Sequence, residues 1–207
     1  MWLRGYAIVW FWLVFSLAGG CASWQLPPPP AGVALRPGSY VKEYFVAPDF
    51  APGEVNYVLG PFTVEQAQGV SAADFLAVFQ TELLQAWEAN GLKLGDKKPG
   101  CRLTATIHHL KVSSGRWRFL TGRISASIVT SGVITCDGRV LFAFTDRLSL
   151  ESPVNPGPPA PRETELLLRQ LSRQMAHRVL NELLLHGLTA DAMKRSANTL
   201  SSNRGRF

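Results

Sequence analysis

The sequence predicts an α+β fold, a two-layer sandwich in which a mostly antiparallel sheet carries two helices on one face. Two segments repeat apolar residues at four-residue spacing, which is typical of amphipathic helices. Three other segments alternate apolar with polar residues, which is typical of half-buried strands. A β-rich segment precedes the first helix, so the predicted order is strand, helix, three strands, helix. Helices that are separated from a run of antiparallel strands favour this architecture.

The first 20 residues have the pattern of a secretory signal peptide. Arg4 precedes the uncharged, apolar run Tyr6–Ala18, which is shorter than the roughly 20 residues that a membrane-spanning helix needs. Small residues then end at Cys21, and this pattern resembles the bacterial lipoprotein signal. The resemblance implies cleavage before Cys21, acylation of Cys21 (palmitate included) and, because Ala22 follows, an outer-membrane location facing the periplasm. The alternative is an ordinary secretory signal in which Cys21 stays unmodified.

A Pro-rich stretch separates the signal from the rest of the chain. Pro27–Pro30 predicts an extended, semi-rigid polyproline spacer that holds the folded body away from the membrane. The predicted division is a signal peptide at 1–20, a lipidated Cys21 with a Pro-rich tether at 21–54, an α+β sandwich at 55–187, and a basic, disordered tail at 188–207.

The first half of the predicted domain holds one strand and one helix. Val55–Leu59 is rich in β-forming residues, with Pro61 at its end or at a sheet edge, and an earlier strand is expected near Tyr40–Val46. The helix begins after Ser71, which suits an N-cap, and ends at Asn90-Gly91. Its apolar stripe, which is expected to face the core, consists of Phe75, Phe79, Leu83 and Trp87.

The second half holds a three-stranded meander and a second helix. The alternating segments are Leu103–Val112, Ile124–Cys136 and Val140–Leu150, and Asp137-Gly138 predicts a tight turn between the last two. After the Pro-rich loop 152–161, a helix is expected from about Arg162 to His186, with Gly187 as its stop.

Cys101 and Cys136 remain as a pair once Cys21 is assigned to the lipid. In the alternation of their strands both lie on the core-facing side. Antiparallel pairing centred near residue 118 or 119 would place them opposite each other. Because an exported protein meets an oxidising compartment, the sequence predicts a Cys101–Cys136 disulfide, with two free, buried thiols as the alternative.

The formal net charge of +6 is concentrated in two short segments. Lys111–Arg123 has four basic residues and no acidic one, and Leu188–Phe207 has four basic residues against one acidic. A nucleic-acid-binding domain more often distributes basic residues over a whole face, and a signal peptide leads away from nucleic acid. We therefore expect no nucleic-acid partner.

The candidate binding residues lie in the first basic segment, and they are Arg116, Trp117, Arg118, Phe119 and Arg123. Arg makes bidentate contacts with phosphate or carboxylate, and Trp adds apolar contact area. The pattern favours recognition of an acidic protein surface or a phosphate-bearing lipid. The alternative is a hairpin whose Trp117 and Phe119 pack inward while its Arg side chains are simply solvated.

The sequence holds no recognisable catalytic motif. It lacks G-x-S-x-G, H-E-x-x-H, a Walker loop and a Gly-rich dinucleotide turn. His108 and His109 are adjacent, and adjacent strand residues point to opposite faces, so the sequence predicts no metal site there. We expect a non-enzymatic protein without metal or cofactor, with an unrecognised envelope hydrolase as the alternative.

Two groups of envelope lipoproteins resemble the chain over about residues 55–187. The stretch Ala72-Ala73-Asp74-Phe75 leading into Glu82-Leu83-Leu84 is similar to the ABC-type transport auxiliary lipoproteins, which help lipid carriers bridge the periplasm. The element order and basic tail are similar to the lipopolysaccharide-assembly lipoprotein, which plugs an outer-membrane barrel. The resemblance implies an accessory or docking subunit of an envelope assembly or lipid-transport complex. Direct binding of anionic lipid or lipopolysaccharide is the alternative.

Overall fold

The computed structural model describes residues 26–30, 32–95, 100–113, 123–153 and 161–204, with the side chains of the last helix described over 162–187. The helices are α1 (Ala72–Ala89) and α2 (Pro161–Arg204). The strands are β1 (Arg36–Pro37), β2 (Glu43–Val46), β3 (Asn56–Val64), β4 (Ala67–Gln68), β5 (Lys93–Leu94), β6 (Gly100–Val112), β7 (Ser125–Cys136) and β8 (Arg139–Glu151). Within these ranges, no helix has the length and apolar character that crossing a membrane requires.

One mixed sheet and two helices make up the predicted α+β sandwich. The strands lie in the order β1-β2-β8-β7-β6-β3-β5, with β4 beside β6. The strands β6, β7 and β8 pair antiparallel, as the alternation predicts. In contrast, β3 pairs with β6 in parallel, because the chain crosses over through α1 between these two strands. The helices contact each other and the same side of the sheet, so they form the second layer.

The apolar core lies between the helices and the sheet. The Ser71 hydroxyl accepts a hydrogen bond from the Asp74 amide at 3.4 Å and so caps α1 as predicted. The predicted stripe of α1 is buried, and Trp87 meets the ring of Tyr57 edge to face, with 5.4 Å between ring centroids. The buried apolar residues that α2 contributes are Leu167, Leu171, Met175, Ala176, Val179, Leu180 and Leu183.

The register between β6 and β7 agrees with the predicted disulfide. Cys101 pairs directly with Cys136, their Cα atoms are 4.3 Å apart, and a disulfide joins them. The turn from β7 to β8 uses Asp137 and Gly138, which both have positive φ (50° and 79°), as a tight hairpin turn with a right-handed twist needs. By the loop-closure model, the disulfide stabilises the fold by roughly 3–4 kcal/mol.

A β-bulge in β6 contradicts one expectation. The pairing of β6 with β7 shifts between Ile107 and His109. Ile107 and Leu110 are both buried on the helix side, so His108 and His109, which are half-buried between them, face the other side together. The prediction that these two side chains point to opposite faces was therefore wrong, because strict alternation ends at a bulge. Within the described ranges, no three His, Cys, Asp or Glu side chains form a metal-binding group.

The folded domain begins earlier than the predicted boundary at residue 55. Strands β1 and β2 extend the sheet beyond β8, and β2 lies within the early strand expected near Tyr40–Val46. Val41, Tyr44 and Phe50 are buried in the core. We call residues 36–46 the N-terminal strap. Its membership of the core shortens the stretch that is available as a tether.

The helix α2 does not end at Gly187, and it continues to Arg204. The glycine is needed for packing instead of termination, because a Cβ atom there would lie 2.7 Å from Cδ and 2.9 Å from Cγ of Pro52. Glycine inside a helix costs only about 1 kcal/mol relative to alanine, and the residues that follow are compatible with a helix. The predicted disorder of 188–207 therefore does not describe 188–204.

We expect Gly187→Ala to destabilise the protein by about 1–3 kcal/mol, although alanine is the better helix former, because the added methyl group overlaps Pro52. Urea unfolding of the wild type, Gly187→Ala, Pro52→Ala and the double variant measures the effect. The double variant should recover most of the loss. A more stable Gly187→Ala protein would show that the contact with Pro52 is not restrictive.

Candidate functional site

The predicted basic-aromatic hairpin is described only at its base. Arg116, Trp117, Arg118 and Phe119 lie outside the described residues. Arg123 is exposed at the end of the hairpin, and its guanidinium donates to the Glu151 carboxylate at 2.9 Å. Both side chains are more than half exposed (51% and 58%), and such pairs contribute only about 0–1 kcal/mol. The pairing with Glu151 therefore leaves Arg123 able to exchange partners.

The N-terminal strap is held by a buried carboxylate of α2. Glu182 is fully buried, and its Oε2 accepts hydrogen bonds from the backbone N–H groups of Tyr40 at 2.6 Å and Val41 at 3.2 Å. Its Oε1 lies 3.1 Å from Nε2 of His186, one helical turn further on. The carboxylate thus joins the strap to the helix over a separation of about 140 residues in the chain.

Gly38 allows this close approach. A Cβ atom at position 38 would lie 2.9 Å from Glu182 Oε2 and 2.6 Å from the carbonyl oxygen of Val41. The backbone oxygen cannot move without breaking the turn in which the Gly38 N–H donates to the Lys42 carbonyl. A side chain at position 38 would therefore separate the strap from the helix.

A second buried carboxylate holds the next residue of the strap. Asp146 on β8 is fully buried and accepts a hydrogen bond from the Lys42 backbone N–H at 3.1 Å. The Arg178 guanidinium donates to both of its oxygens, at 2.6 Å and 2.9 Å. Burial raises the pKa of Asp146, and the hydrogen bonds and charge of Arg178 oppose that rise. The consecutive N–H groups of residues 40, 41 and 42 are thus all bound by two carboxylates.

Aromatic contacts complete the strap. The ring of Tyr44 stacks on His186 with 4.4 Å between centroids. The guanidinium carbon of Arg36 lies 4.7 Å from the centroid of the Tyr44 ring, within the range of a cation–π contact. The start of the domain is consequently fixed on α2 and β8 by charge, hydrogen bonds and stacking together.

The sheet face opposite the helices carries a row of polar side chains across five strands. The register aligns Thr63, Thr106, Ser131, Thr145 and Glu43. Hydroxyl groups link the first two at 3.3 Å, and Thr145 donates to Glu43 at 3.3 Å. We call this surface the open face.

Three side chains on the open face form a relay. Nδ1 of His108 lies 2.9 Å from Oε2 of Glu65, and Nε2 of His108 lies 2.8 Å from the Ser131 hydroxyl. The relay escaped the sequence analysis because Glu65 is 43 residues from His108 and Ser131 is 23 residues from it. The bulge that brings them together leaves no recognisable spacing in the sequence.

The sheet edges are poor templates for strand addition. One edge is β1, which has two residues and ends in Pro37. At the other edge, the described pairing of β5 with β3 is limited to Asn56 and Tyr57. Beyond this pair, β3 carries the exposed Pro61 and a register irregularity between Leu59 and Phe62. Proline and bulges both disfavour pairing with an incoming strand.

The groove between the helices is occupied by ion pairs. Glu82 of α1 is buried, and Arg173 donates to it at 2.9 Å across a groove of about 360 Å³. The Glu82 carboxylate raises the pKa of Arg173, and Arg169 approaches the same carboxylate at 3.9 Å. These contacts join α1 to α2 and indicate a structural groove.

One solved bacterial structure shares this fold at a TM-score of 0.50. Protein XCC0632 from Xanthomonas campestris, assigned to the family model DUF330, matches with a TM-score of 0.50 and 10% identity, over 70% of this chain and 92% of that chain. Lower similarity is seen to a minor lipoprotein from Acinetobacter baumannii (TM-score 0.39, 13% identity, 57% of this chain and 85% of that chain). Rare lipoprotein B from Shewanella oneidensis gives a TM-score of 0.39 and 13% identity, over 62% of this chain and 98% of that chain.

No family model and no curated protein matches the sequence. The likeness to XCC0632, at 10% identity, is a likeness of fold.

We expect Arg178→Met to lower the free energy of unfolding by about 3 kcal/mol, because Asp146 would keep its burial and lose its cation. The pKa of Asp146 would then rise further, so the folded state would bind the proton more tightly than the unfolded state. Stability should therefore fall as the pH rises from about 4, the unfolded pKa of Asp, towards neutrality. Urea unfolding at about pH 4.5 and about pH 7 measures this slope.

Arg173→Met is the matched control, because it also removes a cation from a buried carboxylate but at a more exposed position (57% against 32% for Arg178). Arg173→Met should lower the free energy of unfolding clearly less than Arg178→Met, because solvent screens the more exposed pair. Equal losses and equal pH slopes in the two variants would contradict the role given to Asp146.

Proposed function

We propose that the protein is an outer-membrane lipoprotein, anchored through Cys21 and facing the periplasm, that acts as a docking subunit of an envelope assembly or lipid-transport complex. The observation that supports this function is the N-terminal strap, which fixes the chain to the folded body directly after the Pro-rich segment. A tether can position a domain only if the end of the tether next to the domain is fixed to it. Here the buried carboxylates of Glu182 and Asp146 fix that end.

The tether sets the reach of the domain. Residues 22–35 separate the lipid-bearing Cys21 from β1. The chain turns at residues 30–33, where the Val33 N–H donates to the Pro30 carbonyl at 3.1 Å. The extended part is therefore limited to residues 22–30, which at about 3.1 Å per residue in a polyproline conformation span roughly 30 Å. The body can therefore stand away from the membrane and meet a partner in the periplasm.

The proposed docking surface is the basic-aromatic hairpin that leaves β6 and returns at β7. The ladder at its base is well formed, since the Ser113 N–H donates to the Ser125 carbonyl at 2.8 Å and the Ser113 hydroxyl accepts from the Ser125 N–H at 2.8 Å. Because Pro37 and Pro61 disfavour strand addition at the edges, we assign docking to side-chain contacts of the hairpin. The chemistry of the partner is acidic, to match Arg116, Arg118 and Arg123.

Direct capture of an anionic lipid or lipopolysaccharide is the second candidate. The exchangeable ion pair of Arg123 with Glu151 favours it, because a phosphate group can replace an exposed carboxylate. The two candidates use the same residues and differ in whether a protein or a lipid is retained.

Fatty-acid labelling tests the anchor. Cells that express the full chain should incorporate radiolabelled palmitate into the protein, and Cys21→Ser should abolish that incorporation and release the protein from the membrane fraction. Two or three acyl chains are needed for stable anchoring, so the release should be nearly complete. Equal labelling of the Cys21→Ser variant would refute acylation at this residue.

Charge reversal tests the docking surface. In the variant Arg116→Glu, Arg118→Glu and Arg123→Glu, we expect at least about a tenfold loss of co-purifying partner from detergent-solubilised membranes, because three favourable charge contacts become repulsive. Mass analysis of the retained proteins and lipids separates the two candidates.

The matched control reverses three exposed basic residues elsewhere, Lys93, Arg102 and Arg162, and should retain the partner. Both variants should unfold at the same temperature as the wild type. Undiminished retention in the hairpin variant would exclude the hairpin as the docking surface.

A further inference from the structure

We propose that Ser131 is an activated nucleophile that accepts the acyl group of unhindered carboxylic esters on the open face. Its hydroxyl lies 2.8 Å from Nε2 of His108, and Nδ1 of the same ring lies 2.9 Å from Oε2 of Glu65. This is the order of nucleophile, base and acid found in hydrolytic triads. In those triads too, Nε2 of the histidine faces the nucleophile and Nδ1 faces the carboxylate. The proposal is independent of the docking function, because it concerns different residues and a different face.

The ring of His108 is placed to act as a general base. When Nδ1 carries the proton and donates it to Glu65, Nε2 is left as the acceptor for the Ser131 hydroxyl. The His108 side chain is only 20% exposed, whereas Glu65 is 56% exposed. Glu65 is therefore a positioning residue, which fixes the tautomer and orientation of the ring through one hydrogen bond.

The β-bulge in β6 lies at the His108 position of the relay. The bulge after Ile107 turns His108 and His109 to the open face together. Glu65 is fixed beside it, because its own N–H donates to the Ile107 carbonyl at 2.9 Å. Bulges are frequent next to active sites, where they re-aim a side chain.

The strand next to Ser131 carries a basic residue. Arg147 is exposed on the open face of β8, two residues from Thr145, which pairs directly with Ser131. Ser131 is half-buried on the surface of the sheet, so an ester carried on a flexible chain suits its approach.

The reaction balances with water as the only co-reactant. Ser131 Oγ forms a bond to the carbonyl carbon as its proton passes to His108 Nε2, and the C–O bond to the leaving alcohol breaks as that oxygen takes the proton. The acyl group is then on Ser131. A water molecule gives a proton to His108, attacks the acyl carbon and releases the carboxylic acid, and the proton returns to Ser131.

A fluorophosphonate probe tests the nucleophile on the full, detergent-solubilised chain. The Ser131 oxygen would bond to phosphorus, fluoride would leave and the hydroxyl proton would pass to His108. We expect a phosphonyl adduct located at Ser131 by peptide mass analysis and slow turnover of p-nitrophenyl acetate. Ser131→Ala should abolish both, and His108→Gln should slow both by at least about 100-fold.

Two controls keep the result specific. Ser127→Ala removes a hydroxyl from the same strand and face, four residues away, and should leave labelling unchanged. Glu65→Gln should slow ester turnover while the wild-type melting temperature is kept, which a merely structural hydrogen bond would not do. A folded wild-type protein that gives no Ser131 adduct, or equal labelling of Ser131→Ala, would overturn the proposal.

Discussion

The arrangement of the whole domain depends on two buried carboxylates, Glu182 and Asp146. Together they accept hydrogen bonds from three consecutive backbone N–H groups of the strap, residues 40 to 42. Buried charge is costly unless it is paired and hydrogen-bonded. Asp146 is paired with Arg178, and Glu182 accepts two backbone hydrogen bonds and lies 3.1 Å from Nε2 of His186. Since the donors and acceptors lie more than 100 residues apart, these bonds form only when the sheet, the strap and α2 are assembled.

The strap, the base of the hairpin and the open face are separate surfaces of the molecule. The strap and the end of α2 fix the chain where it leaves the Pro-rich segment. The far end of β6 and β7 carries the hairpin that we propose for docking. The open face, which the helices leave uncovered, carries the relay of Glu65, His108 and Ser131. The proposed anchoring, docking and acyl chemistry therefore use separate residues and can be varied one at a time.

At two glycines and one β-bulge, tertiary packing overrides the local secondary structure that the sequence pattern predicts. Gly38 is required because the carboxylate of Glu182 approaches its backbone, and Gly187 is required because Pro52 approaches α2. Gly187 looks like a helix stop in the sequence, yet the helix passes through it, since the cost of one internal glycine is small beside the cost of a clash. The bulge at His108 similarly overrides the alternation that surrounds it.

The sequence by itself determined the sandwich, the stripe of α1, the meander and the pairing of Cys101 with Cys136. These features follow from periodicity and turn chemistry, which act between near neighbours and leave a regular trace in the chain. Only the tertiary structure decided the early start of the domain, the parallel pairing of β3 with β6, and the relay at Ser131. Each of these joins residues far apart in the chain through single contacts or a shifted strand register. Such contacts produce no periodic pattern of apolar residues, so the sequence alone does not reveal them.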